Sequence, residues 1–281
     1  MGAAAACILN AMFDLDAYLQ RIGYDGPCTP TLETLRALHA RHTESITFEN
    51  LNPMMGWPVP IDIDSVQQKI VRGGRGGWCF EQNLLFSQAL RALGFAVTDL
   101  AARVLWGGDE QAITRRSHMV LHVGLNGEPY IADVGFGGQT LTAPLRLQLD
   151  VAQSTPHEDF RVVRVGDDYK VQTLIGDGWK SLYRFDLQPQ FPTDYDVVNY
   201  YLATHPASPF RSTLRVARAL PGLRHGLANN HFSTHYLTGV TEKRVLTSVP
   251  EVRAVLADVF GLTLPTGPDL DRAIARVCNF P

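Results

Sequence analysis

RGGRGGWCFEQN, residues 72–83, is the stretch from which the rest of the chain is best read. Its first part, residues 72–78, is too rich in glycine for regular structure and reads as a loop. Behind it Phe80, Leu84, Leu85, Ala89, Leu90 and Leu93 recur at roughly helical spacing until Gly94, which predicts a buried amphipathic helix closed by glycine. Cys79 stands where loop becomes helix. At that position the helix dipole and the unpaired backbone N–H groups favour a thiolate over a thiol, and flanking glycines leave the sulfur open to a substrate. A cysteine that merely fills space belongs on the apolar stripe rather than at the helix mouth, so Cys79 is a candidate nucleophile, with packing the plainer alternative. The loop lacks the GK[ST] ending of a phosphate-binding loop, and GxSxG, the serine hydrolase elbow, is absent from the chain.

Upstream the chain is helical. Leu15, Leu19 and Ile22 share a helical face behind a possible Asp14 cap, with Gly23 closing the turn. Leu32, Leu35 and Leu38 form a second stripe after Thr29-Pro30-Thr31, and His39 and His42 on that helix are expected to face solvent or satisfy local partners. Asp64, three before Gln67, resembles a capping box for a short helix over 66–71. Downstream of Phe95 the period shortens to two: Leu100, Ala102, Val104 and Trp106 alternate as in a half-buried strand. Segments 118–123 and 130–134 flank Asn126-Gly127, a strong hairpin signal, and 161–165, 169–173 and 179–185 continue as strands. A connecting helix is predicted over 194–204, stopped at Pro206, followed by further strands and a final helix near 270–277. Helices, then antiparallel strands, then a mixed tail make the fold α+β.

A nucleophilic cysteine needs a base, and the base needs an orienting group. If the two-residue turn at Asn126-Gly127 fixes the register, Leu125 faces Glu128 and Asp133 faces Val120. His118 and His122 are then both diagonal neighbours of Asp133, about 7–8 Å away at the backbone and within side-chain reach. The hairpin thus offers a His–Asp pair on one face. The spacing alone does not choose between the two histidines.

Composition narrows the class. Lys and Arg number 25 against 28 Asp and Glu, a net charge of −3, so a nucleic acid or an anionic membrane is not the expected partner. With 45% hydrophobic and 19% charged residues, the 281-residue chain reads as globular, with roughly two domains or one elaborated one at about 150 residues each. Cys7, Cys28, Cys79 and Cys278 are scattered with no CxxC pair, which fits a reducing compartment and a cytoplasmic protein. Residues 1–11 read as a disordered leader: the alanine run is short, no positive charge precedes it, and Ala6 stands where myristoylation wants Ser or Thr. His225, His231 and His235 cluster in the tail. With no HExxH glutamate and no nearby cysteine they are expected to be surface or core histidines, and no metal site is expected.

RGGWCFEQN around Cys79, SHMVLHV around His118 and YIADVGFGG around Asp133 resemble the three catalytic blocks of the arylamine N-acetyltransferases. FDLDAYLQRIGY (13–24), TFENL (47–51), YRFDLQPQ (183–190) and NYYLATHPASPF (199–210) extend the resemblance over about residues 12–248. The resemblance implies a cysteine-protease-like Cys-His-Asp core made of Cys79, His118 and Asp133, in a three-part fold. Its parts are a helical bundle (12–94), a central antiparallel β-barrel-like domain (95–193) joined by a connecting region (194–215), and a C-terminal α/β lid (216–281). It implies acetyl transfer from acetyl-CoA, as co-substrate rather than resident cofactor, to arylamines, arylhydrazines and arylhydroxylamines through an acetyl-cysteine. Phe48, Trp78, Ser117 and Phe136 are the implied acceptor contacts, and Thr114, Gly137 and Tyr201 the implied CoA contacts. His122 departs from the family, which usually carries an aliphatic residue there. The alternatives are a cysteine hydrolase or peptidase with the same triad, an amide synthase of natural-product assembly, and a binding protein with a vestigial site.

Overall fold

The computed structural model describes residues 13–280, so the leader assigned to 1–11 lies outside the described residues. Helices come first: α1 (Leu15–Ile22), α2 (Leu32–Ser45), then a two-residue strand β1 (Phe48–Glu49), α3 (Leu51–Met55), α4 (Ile63–Val66) and α5 (Cys79–Ala92). Their ends follow the predicted signals. Asp14 accepts the Ala17 N–H to open α1, Gly23 closes it with φ 64°, and Thr31 caps α2. The capping box placed on Asp64 is a departure. Asp62, with the extended backbone an N-cap requires, accepts the Ser65 N–H at 2.9 Å, and Asp64 already lies inside α4, which runs on as a π-helical turn over Gln67–Arg72.

The middle of the chain supplies β2 (Ala96–Val104), β3 (His118–Leu125), β4 (Glu128–Ala132), β5 (Leu145–Arg146), β6 (Gln153–Ser154), β7 (Asp159–Val165), β8 (Asp168–Ile175) and β9 (Gly178–Phe185). They form one antiparallel sheet in the order β5-β4-β3-β2-β9-β8-β7-β6, curled into a nearly closed barrel. Trp106 falls just beyond β2 and is exposed. The β3–β4 hairpin has the predicted register, Leu125 opposite Glu128 through Leu121 opposite Ala132, around a turn with Asn126 and Gly127 both at positive φ. Alternation along β3 divides two cores. Val120 points into the barrel with Leu100, Ile131, Phe160 and Leu182, while Met119, Leu121 and Val123 face Leu85, Phe86 and Ala89 of α5. Both faces of this strand are therefore buried, each apolar side chain contributing about 1.5–3 kcal/mol.

After the barrel come α6 (Pro192–Thr204), α7 (Pro209–Ser212), β10 (Arg215–Leu220), β11 (Leu223–Ala228), β12 (His231–Tyr236), β13 (Thr241–Val245), α8 (Val249–Ala254) with a π-helical turn Val255–Val259, and α9 (Asp269–Cys278). The strands make a second sheet whose order is β1-β10-β11-β12-β13, so its edge is lent by the N-terminal region. Leu51 and Met54 of α3 accordingly pack with Val216, Leu256, Phe260 and Ile274 rather than with the other early helices. Tyr195 and Leu202 of α6 pack back into the first helical core. No helix among the described residues is long and apolar enough to cross a membrane.

Candidate active site

Cys79 is the first residue of α5 and is nearly buried. The loop before it is held by backbone contacts. The Gly77 N–H donates to the Thr47 carbonyl at 3.2 Å, and the Gly77 carbonyl accepts from the Glu49 N–H at 3.1 Å. A Cβ on Gly76 would lie 1.9 Å from the Thr47 oxygen, so glycine is required there by the approach of β1 and not by access to the sulfur. Glu81 then fixes the helix mouth. One of its oxygens accepts the Trp78 N–H at 3.1 Å, and the other meets Lys69 Nζ at 2.7 Å. Burial pushes the Glu81 carboxyl upward against the pull of Lys69.

His118 opens β3, and Asp133 falls one residue past the end of β4, where the ladder has stopped. The imidazole Nε2 meets Asp133 Oδ2 at 2.7 Å with both side chains buried. Of the two histidines left open by the spacing, His118 is therefore the one engaged. His122 is half-buried opposite Ile131, and the oxygens of Asp133 are held by His118, by Asn83 Nδ2 at 2.9 Å and by the Gly135 N–H at 2.9 Å. Burial alone would discharge His118. The adjacent Asp133 carboxylate and the Cys79 sulfur outweigh it and push the imidazole up to about 10. Asp133 is pushed up by burial but held below its usual range by His118, Asn83 and the Gly135 N–H. The Cys79 sulfur also faces the Ser117 carbonyl at 3.7 Å. Gly135 packs so closely that a Cβ there would lie 2.8 Å from Cys79 Cα.

Several residues that sequence reasoning passed over complete the arrangement. Asn83, one turn after Cys79 on the same helix face, also donates to the Met119 carbonyl at 2.8 Å and accepts the Val134 N–H at 3.0 Å. Tyr183 from β9 lies against the His118 ring, centroids 5.0 Å apart. His39 and His42 do not face solvent: both are fully buried, His39 against the Asp133 main chain and His42 against Tyr18. Their spacing from Leu35 and Leu38 (35, 38, 39, 42) is the signal that would have placed them on the buried face.

A cleft of roughly 500 Å³ opens beside this group, walled by Phe48, Phe136, Gly137, Gly138, Val104 and Phe210 among others. Phe136 also packs edge-on to His118 at 5.2 Å. Trp78 is not in the wall: it is buried against Phe80 and Phe210. The Thr114 hydroxyl donates to the Val104 carbonyl at 3.0 Å, and the Tyr201 ring on α6 is contacted by Arg115, 4.5 Å over it, and by His205, stacked at 4.4 Å. Arg224 of β11 reaches across from the second sheet. It donates to the Thr140 carbonyl at 3.0 Å and pairs with Glu158 at 2.7 Å, which ties that sheet to the loop following Asp133.

A buried thiol, imidazole and carboxylate set between a helix mouth and a barrel strand are groups that acyl-transferring enzymes employ. The sequence and the fold place this protein within that class. A family model described as N-acetyltransferase matches residues 31–268. The arylamine N-acetyltransferase of Escherichia coli (strain K12) is 44% identical over 250 residues, 88% of this chain and 88% of its own. That of Mycolicibacterium smegmatis is 38% identical over 272 residues, 95% of this chain and 98% of its own. The structure of Mycobacterium marinum arylamine N-acetyltransferase superimposes with a TM-score of 0.91 at 38% identity, covering 94% of this chain and 100% of that one. Its complex with CoA gives 0.90 at the same identity and coverage. The chain belongs to the arylamine N-acetyltransferase family of acyltransferases.

Proposed function

We propose that the protein moves an acetyl group from acetyl-CoA to the nitrogen of arylamines and arylhydrazines, or to the oxygen of N-hydroxyarylamines, through an acetyl-Cys79 intermediate. The observation that carries this reading is the chain Cys79–His118–Asp133, in which Nε2 of the imidazole is committed to a buried carboxylate and the ring borders the sulfur. His118 takes the Cys79 proton and Asp133 balances the resulting imidazolium. The thiolate attacks the acetyl carbonyl, the bond to the CoA sulfur breaks, and the departing CoA thiolate receives the proton from His118. The amine then attacks the Cys79 thioester, His118 accepts its proton, and the Cys79 thiolate leaves. Ping-pong kinetics follow. The Cys79 N–H, at a helix start where intrahelical partners are lacking, supplies one donor for the developing oxyanion.

In this reading Phe48 and Phe136 flank a flat acceptor, Trp78 backs the wall from within the core, and Ser117 faces the sulfur. The pantetheine arm enters along Gly137 between the GFGG loop and the segment bearing Thr114, with Tyr201 at the rim. The three-part division is part of the same proposal, with residues 51–55 counted with the C-terminal layer, into which they pack. So is a cytoplasmic setting, supported by unbridged Cys28, Cys79 and Cys278. The test is incubation with acetyl-CoA alone, digestion and mass spectrometry. An acetyl group on the Cys79 peptide, discharged by an aniline, is the expected result. An acetyl group that decays equally fast without amine overturns it in favour of a hydrolase, and an unmodified Cys79 in folded protein overturns it outright.

A further inference from the structure

The chemistry above uses three side chains and leaves a fourth titratable group unused against them. His39 of α2 is fully buried, with its ring edge-on to Phe86 of α5 at 5.6 Å. Its Nε2 accepts the main-chain N–H of Asp133 at 3.3 Å. A nitrogen that accepts carries no proton, so this ring is neutral and protonated at Nδ1. The Asp133–Gly135 turn gives a reason for it. Each of the turn's three successive N–H groups is taken by a side chain: Asp133 by His39, Val134 by Asn83, and Gly135 by Asp133 itself. Side chains therefore define the shape of the turn, and that shape aims Oδ2 at His118.

We propose that His39 is a positioning residue for the reaction: as a neutral acceptor it pins the Asp133 main chain so that the carboxylate meets His118, and protonation destroys that function. This rests on the triad reading given above. A protonated Nε2 would set a second donor against the Asp133 N–H. It would also place a rival cation beside the carboxylate that His118 needs. The groups around His39 keep it neutral. Phe86 offers no charge, His42 follows one turn later on the same helix with its Nδ1 at 2.9 Å from the Tyr18 hydroxyl, and Arg21 of α1 bears on His42 as a further positive charge. The Asp133 carboxylate, and after it a main-chain hydrogen bond at His39 itself, favour a charged ring. Burial outweighs both and pushes His39 down to about 4.

The test uses His39→Leu, which keeps the bulk but cannot accept, and His39→Gln, whose amide oxygen can. Single-turnover acetylation of Cys79 is expected to slow by about 10–100-fold in the Leu variant, with KM for acetyl-CoA nearly unchanged, and to recover in the Gln variant. A Leu variant as fast as wild type overturns the proposal, and so do Leu and Gln variants slowed equally. Should the Leu variant not fold, long-range proton–nitrogen spectra of the wild-type protein decide. They are expected to show His39 Nε2 unprotonated at pH 7, and a protonated Nε2 overturns the proposal. Failure of wild-type protein to form acetyl-Cys79 would count against the function, and the same spectra would then decide the role of His39 by themselves.

Discussion

Mild acid should destabilise this protein through His42, and the size of the effect follows from the burial of that ring. It is fully enclosed, and Nε2 has no hydrogen-bond partner among the described residues. Burial first, then the neighbouring His39, push it from 6.5 down to about 3. The unfolded chain therefore binds a proton below pH 6.5 that the folded chain refuses until near pH 3. Stability falls through that window at about 1.4 kcal/mol per pH unit for each such group. Between pH 6.5 and 5 the unfolded imidazole goes from half to nearly fully charged, which costs about 1.5 kcal/mol from a total of roughly 5–15. His42→Gln removes the proton uptake and leaves an amide oxygen to accept from Tyr18. Urea unfolding, followed by tryptophan fluorescence at the two pH values, is the assay. Each protein is compared with itself, so the packing cost of the substitution cancels. Wild type should lose about 1.5 kcal/mol more than the variant; equal losses refute the reasoning.

The alkaline side carries the opposite sign. His118, raised to about 10 by its partners against the effect of burial, contributes stability that is complete below pH 6.5 and drains away as pH rises toward 10. Asp133→Asn should flatten the loss measured by urea unfolding between pH 7 and 9, and an unchanged slope would falsify the pairing. Gly76→Ala forces a Cβ to 1.9 Å from the Thr47 carbonyl, where neither partner is a side chain that can turn aside. It should cost at least about 4 kcal/mol or abolish soluble expression, so a melting temperature near that of wild type is the contrary result. Asn83→Leu leaves the Val134 N–H and the Met119 carbonyl without their partners and removes a donor from Asp133. A loss of about 3–6 kcal/mol is expected by chemical denaturation, and less than 1 would contradict the role given to Asn83.

Local signals proved the most readable. Asn126-Gly127 predicted the register of the β3–β4 hairpin through to Leu121 opposite Ala132, and with it the nearness of His118 and Asp133. Gly23, Thr31 and Gly94 marked helix ends because capping depends on a few adjacent residues. What escaped depends on partners far away in sequence. Nothing in Phe48-Glu49 announces a two-residue strand, since its reason to exist is Ala217 and Val216 opposite. The glycines before Cys79 look designed for access until Thr47 is seen against Gly76. His39 and His42 are polar, so a place in solvent or among local partners was expected of them, although their phase put them with Leu35 and Leu38. Polarity misleads where a buried backbone donor needs an acceptor, and only the fold reveals that donor.

β1 has a bearing on how the molecule comes into being. Phe48 touches Gly77 on one side and Ala217 on the other, and Asn50 accepts from the Arg215 N–H, 165 positions along the chain. A ribosome delivers Cys79, His118 and Asp133 well before it delivers β10, so the loop leading to the thiol waits for its brace until most of the chain has emerged. Contacts that span such distances slow folding and prolong exposure of unfinished edges. The newborn protein therefore passes through an interval in which Cys79, His118 and Asp133 exist without the edge that steadies them, and the arrival of β10 decides when that interval ends.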